Sequence, residues 1–286
     1  MGALRINYNY QADFTHANLQ KTEYNLNKSL ERLATGHRIN RAADDAAGLY
    51  IADQLKTYAT SLEQGTRNAQ DGVSIAQIAQ GSLAEVYNIL NDIKSKAIQA
   101  SNTTDSYARG QIQQDINKLV DSISKIFKDT EFNGLNIFSS GTTTTFTIHY
   151  GGRTDQELTI EVAAAGASAG TSSNQASIVT IGNTAYSIDV TSQTAANATV
   201  STVDALIKAV DDMAAKFGSY QIELEKIISN NETQRINTQE AESRIRNVDM
   251  AKEMSNFTRN QILMQSGTAM LAQANQVPQM VLQLLR

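Results

Sequence analysis

Side chains able to do covalent chemistry are few in this sequence, and their spacing assembles no site. It contains no cysteine, so thiolate nucleophiles, disulfides and thiolate metal sites are excluded. The three histidines, His16, His37 and His149, stand apart, without a His-x-x-x-His or His-Glu pairing. Asp44 and Asp45 form an adjacent carboxylate pair. Neighbours on a helix point in different directions, so the pair suits a helix N-cap, where a carboxylate accepts from free backbone N–H groups. No ATP or phosphate motif is present. The chain is therefore expected to be no enzyme and to need no metal or cofactor. A net charge of −5 does not favour nucleic acid as a partner. No run of ~18 apolar residues could span a membrane.

The apolar residues are ordered instead for long helices. From Leu55, every seventh residue is Leu62, Ala69, Ala76, Leu83, Leu90 and Ala97. Gly72, Ala79, Val86, Ile93 and Ala100 follow three positions later, a 3.5-residue repeat held over about seven heptads. Such a helix must lie along another. Val203, Leu206, Val210, Met213, Phe217, Tyr220, Leu224 and Ile227 supply it in alternating steps of three and four. The seam then turns polar at Asn231, Gln234 and Thr238, a pattern that costs stability but fixes register. Leu83, Leu90, Ile93, Leu224 and Ile227 are the expected packing residues of this pair. A shorter helix with Ile112, Ile116, Leu119, Ile123 and Phe127 on one face follows the first. The single proline, Pro278, lies near the C-terminus, as extended helices require.

Between these helices the period changes. Phe146, Ile148 and Tyr150 alternate with polar residues, as do Leu158, Ile160 and Val162, which predicts a hairpin over 146–162. Asn133-Gly134 marks a tight turn, and Gly182-Asn183 a second hairpin. Ala163 to Ser177 reads as a loop, and Ser201 to Asp204 as the box that opens the returning helix.

Both chain ends carry further amphipathic stretches. Leu19, Leu26, Leu30 and Leu33 line one. Met254, Phe257, Met264, Leu271, Val277, Val281 and Leu284 line the other, and Gly36 sits where a left-handed cap would close the first. The fold class is mainly α: a long antiparallel helical bundle or coiled coil formed by both ends, with a small β-hairpin appendage in the middle. Residues 1–44 and 246–286 are expected as an inner terminal coiled coil. Residues 45–162 and 201–245 are expected as a helical rod domain, and 163–200 as a small exposed β/loop insert. Isolated helices in water are marginal. Apolar stripes broader than one partner covers imply burial against other copies, and head-to-tail contacts then give a helical polymer.

The run from Ser29 to Leu49, SLERLATGHRINRAADDAAGL, and the run from Arg244 to Arg286, including Ala272 to Gln279 and the closing Leu284-Leu285-Arg286, resemble the terminal signatures of the bacterial flagellins. The resemblance covers roughly residues 1–140 and 200–286. It implies a structural subunit that polymerises with itself into the flagellar filament for swimming motility. Residues 1–8 offer no apolar core and cleavage site, which by general rules reads as cytoplasmic. The resemblance instead implies export, unfolded and without a cleaved signal, through the flagellar type III channel to an extracellular filament. It further implies a filament cap protein, a hook–filament junction protein and a flagellar export chaperone as partners. Many flagellins carry an outer-helix stretch recognised by Toll-like receptor 5. The matching positions include Asn91, Asp92, Lys94 and Lys96, with an Arg replaced by Asp92 and a Leu by Lys96, as in flagellins of the Campylobacter type. Weak or absent receptor recognition is expected.

Three other readings compete. A hook–filament junction protein shares the terminal plan. An enzyme would need a zinc motif near His149, which stands alone. An adhesin would bind a defined ligand at the β tip without polymerising.

Overall fold

The computed structural model describes residues 9–139, 142–171, 175–182 and 184–284, with side chains as far as Gln276. The described residues of Met1–Ala59 and Ile236–Arg286 form one compact unit, and those of Thr60–Arg235 a second. Helices α2 (Ala46–Asn102) and α4 (Gln193–Arg246) contribute to both.

In the second unit, the 3.5-residue repeat becomes the core seam of α2. Leu62, Ala69, Ala76, Ala79, Leu83, Val86, Leu90, Ile93, Ala97 and Ala100 are all buried. Helix α4 returns antiparallel to it: Gly72 lies beside Leu224, Gly218 beside Gln80, and Lys94 is ion-paired with Asp204. From α4, Val203, Leu206, Val210, Met213, Phe217 and Leu224 are buried, and Ile227 is half-buried. Helix α3 (Ser106–Asp129) opens on Asp105, whose carboxylate accepts from the Tyr107 N–H at 3.1 Å. It adds Ile112, Ile116, Val120, Ile123 and Phe127 to the same core. Each such side chain contributes about 1.5–3 kcal/mol by leaving water.

Strands β1 (Glu131–Phe132) and β2 (Leu135–Asn136) pair around Asn133-Gly134, both at positive φ, 52° and 76°. This is the backbone that a two-residue turn of this sequence favours. Strands β3 (Thr144–His149) and β4 (Glu157–Val162) form the expected hairpin, with Phe146 opposite Ile160. That hairpin explains two helical glycines. A Cβ on Gly65 would collide with the Tyr150 carbonyl, and one on Gly72 with the Ile148 side chain, so the missing side chains admit the hairpin. The polar seam residue Asn231 is buried because its Nδ2 donates to the Tyr150 carbonyl at 2.6 Å, while Asn68 Nδ2 donates to the His149 carbonyl at 2.7 Å.

Two local expectations are corrected. The stretch read as a loop contains β5 (Ala165–Ser168), which pairs with β6 (Ser177–Ile181). That strand in turn pairs with β7 (Thr184–Ile188). The residues Ala165-Gly-Ala-Ser168 have no bulky alternation to mark a strand, yet β5 packs closely against α3. The 163–200 segment buries Val179, Ile181, Ile188 and Val190. Helix α4 begins at Gln193 rather than near Ser201, capped by Ser192 Oγ accepting from the Ala195 N–H at 3.1 Å. Ala196 and Thr199 are buried and extend its stripe past the Ser201–Asp204 run, which lies inside the helix.

A polar chain crosses this core. Gln113 Nε2 and Ser177 Oγ donate to Asn117 Oδ1 at 2.8 and 2.7 Å, and Gln113 Oε1 accepts from the Val190 N–H at 2.8 Å. All three side chains are buried, so the three-stranded sheet is held in register on α3 by satisfied hydrogen bonds.

Candidate assembly surface

The first unit has a different economy. Its helices α1 (Tyr10–Thr35) and α5 (Met250–Leu284) run antiparallel. Asn9 Nδ2 donates to the Ala274 carbonyl at 2.8 Å at one end, and the Val248 N–H donates to the Gly36 carbonyl at 3.0 Å at the other. Gly36, at φ 73°, ends α1 in a left-handed cap, with its N–H on the Arg32 carbonyl. The turn that follows is tied down by polar contacts. The Arg38 N–H donates to the Arg246 carbonyl at 2.7 Å, Arg38 Nη2 to the Ile245 carbonyl at 2.8 Å, and His37 Nδ1 lies 3.0 Å from Asn247 Oδ1.

The aspartate pair divides its work. Asp45 accepts from the Gly48 N–H at 2.9 Å and caps α2. Asp44 accepts from the Lys28 ammonium at 2.7 Å and from the N–H groups of Asn40 and Arg41 at 3.2 Å. The Lys28 hydrogen bond is the main reason its carboxyl is lowered from 3.8 to about 2, and burial opposes it. Among the described residues, no group of three or more His, Cys, Asp or Glu could hold a metal, and no helix is long and apolar enough to cross a membrane.

Among its described residues, this unit buries only a few scattered apolar side chains, Ile39, Ala52, Ala59 and Ala274. The buried hydrophobic cluster of the protein runs from Ala69 to Leu224, wholly within the other unit. On α1 and α5 the expected assembly residues Leu19, Leu26, Leu33, Phe257, Met264 and Leu271 are half-buried, while Leu30 is 53% exposed and Met254 49% exposed. The side chains of Val277, Val281 and Leu284 lie outside the described residues. Heptad counting passes over Tyr10, Phe14, Tyr24, Ile262 and Leu263, all at least half exposed, because they lie off the seam that α1 and α5 share. Tyr10 and Phe14 stack at 6.1 Å, and their aromatic i, i+4 spacing was the available signal. Polar groups occupy part of the seam: Ser29 and Glu253 are buried, with Arg32 Nη1 3.8 Å from Glu253.

On α2, Asn91 and Asp92 are exposed, whereas Lys94 and Lys96 are half-buried and drawn to neighbouring helices. Lys94 pairs with Asp204 at 2.6 Å and Lys96 with Asp115 at 2.9 Å, and the latter pairing lowers the Asp115 pKa.

Two long helices that pair along one seam and leave large apolar side chains exposed fit the class of helical subunits that pack into larger assemblies. Comparison with known proteins gives the same class a family. The profile of the bacterial flagellin N-terminal helical region matches residues 6–143, and that of the bacterial flagellin C-terminal helical region matches residues 200–285. A flagellin of Halalkalibacterium halodurans is 38% identical over 98% of this chain and 99% of its own length. A flagellin of Bacillus subtilis is 39% identical over 99% and 100%, and a flagellar filament core protein of Treponema phagedenis 36% over 98% and 99%. The chain belongs to the bacterial flagellin family, the structural subunits of the flagellar filament.

Proposed function

We propose that this chain polymerises into an extracellular flagellar filament through the faces of α1 and α5 that the single chain leaves uncovered. The observation that carries this reading is the contrast between those exposed side chains, Tyr10, Phe14, Leu30, Ile262 and Leu263 among them, and the fully buried seam of α2. In the filament, residues 1–44 and 246–286 form the inner coiled coil and 45–162 with 201–245 the surrounding helical layer. The 163–200 segment lies outermost. The chain catalyses no reaction. It leaves the cell unfolded through the flagellar type III channel, with the export chaperone on its C-terminal arm. It assembles under the cap protein onto the junction protein. Depolymerised protein, seeded with filament fragments, is expected to grow long uniform filaments by electron microscopy, while a version limited to Asp45–Arg244 stays monomeric. Growth that halts at short oligomers would instead favour a junction protein.

Recognition by Toll-like receptor 5 is weak or absent. Asp92 presents a carboxylate where the family's receptor-binding stretch has an Arg, and Lys96 is engaged by Asp115. A reversed charge at an interface contact costs several kcal/mol. Full-strength signalling by purified monomer in a receptor reporter cell would overturn this.

A further inference from the structure

The methionines of this chain are concentrated. Of seven, five (Met250, Met254, Met264, Met270 and Met280) lie on α5. Met250, Met254 and Met270 are 49%, 49% and 62% exposed, and Met264 is half-buried. Met213, in the core of the other unit, is 6% exposed. Leucine would supply the same apolar bulk with nearly equal helix propensity. What methionine adds is a polarisable thioether that an oxidant can reach and convert to a polar sulfoxide.

We propose that the exposed α5 methionines form an oxidation-sensitive site, at which a hydroperoxide converts thioether to sulfoxide and withholds the chain from assembly. The step is a two-electron transfer. A sulfur lone pair attacks one oxygen of hydrogen peroxide, the S–O bond forms as the O–O bond breaks, and the departing hydroxide takes the proton of the transferred hydroxyl and leaves as water. The product carries a strong acceptor on a face that assembly must bury. The inference rests on the reading that α5 is part of the polymerisation surface. An acceptor buried there without a donor opposes association, by about tenfold or more in critical concentration. The sulfoxide is reversible by methionine sulfoxide reductase, so the block can be lifted.

The test uses full-length monomer treated with hydrogen peroxide, freed of oxidant, mapped by peptide mass spectrometry and seeded with filament fragments. Met250, Met254 and Met270 are expected to gain oxygen before Met213, seeded growth to fall by about tenfold or more, and reductase treatment to restore it. In the volume-conserving variant M250L/M254L/M264L/M270L, peroxide is expected to leave seeded growth where it stands in the untreated variant, whatever that level is. Oxidation of Met213 at the same rate, or growth of the oxidised chain at the untreated rate, overturns the proposal. If the fourfold variant does not grow, recovery of the oxidised natural chain on reductase treatment decides: recovery supports the site, and persistent loss overturns it. The Asp45–Arg244 chain runs beside these samples. Its growth would sink the assembly reading, whereas normal growth of the oxidised full chain beside an inert truncated one sinks only the methionine site.

Discussion

Gly65 and Gly81 both sit inside α2, yet replacing each with alanine should move stability in opposite directions. Alanine in a helix interior is worth about 1 kcal/mol over glycine. At Gly81 a Cβ meets nothing within 4 Å, so that gain should appear in full. At Gly65 the new Cβ meets the backbone of Tyr150 and Gly151 at the end of the β3–β4 hairpin. The Tyr150 carbonyl is held by Asn231 Nδ2 at 2.6 Å and the His149 carbonyl by Asn68 Nδ2 at 2.7 Å. The hairpin therefore cannot withdraw without lengthening two hydrogen bonds, each worth about 1 kcal/mol. Overpacking costs about 1–3 kcal/mol. With the propensity gain set against strain and weakened bonds, Gly65→Ala should destabilise by about 1–3 kcal/mol. Urea unfolding of unseeded monomer, followed by far-ultraviolet circular dichroism, reads both. The midpoint should fall for Gly65→Ala and rise for Gly81→Ala. Removing the Asn231 tether as well should make the Gly65 penalty smaller in the double mutant than alone. Stabilisation by both alanines would refute the close approach of hairpin and helix.

Other perturbations follow from the same packing. Asn117→Ala strands the buried Gln113 amide and Ser177 hydroxyl, and should cost about 2–4 kcal/mol in the same urea assay. Leu90→Ala opens a cavity at a fully buried seam position and should cost about 2–5 kcal/mol, read as a lower urea midpoint. Asp44 is held at about 2, below its usual 3.8, so its stabilisation is complete above pH ~4 and is lost as pH falls toward ~2. Asp44→Asn should remove on the order of 1–2 kcal/mol near neutral pH and flatten that acid-side slope in pH-dependent thermal melts.

Much of the helical plan was legible because a heptad seam is a one-dimensional code. The positions counted from Leu62 to Ala100 are all buried, Gly36 adopts the left-handed cap, and Asn133-Gly134 makes the turn its residues demand. Strand β5 was not legible, since Ala165-Gly-Ala-Ser168 packs closely against α3 with no bulky alternation of its own. The start of α4 was misplaced because Ser192 and Ser201 both look like caps, and only burial of Ala196 and Thr199 separates them. The polar residues Gln113, Asn117 and Asn231 interrupt apolar stripes in the sequence, and their partners, Val190, Ser177 and Tyr150, are too distant along the chain to be inferred. On the assembly surface, the seam residues could be counted, whereas Tyr10, Phe14, Ile262 and Leu263 become visible only once the shared face of α1 and α5 is known.

The central claim is that α1 and α5 carry faces finished by other copies of the chain. Amide hydrogen exchange, compared between monomer and grown filament, tests it directly. In the monomer, amides of Tyr10–Thr35 and Met250–Leu284 should exchange far faster than those around Leu83–Ala97 in α2, and in the filament they should become comparably protected. Arms already as protected as α2 in the monomer, or arms still exchanging freely in the filament, would contradict the account.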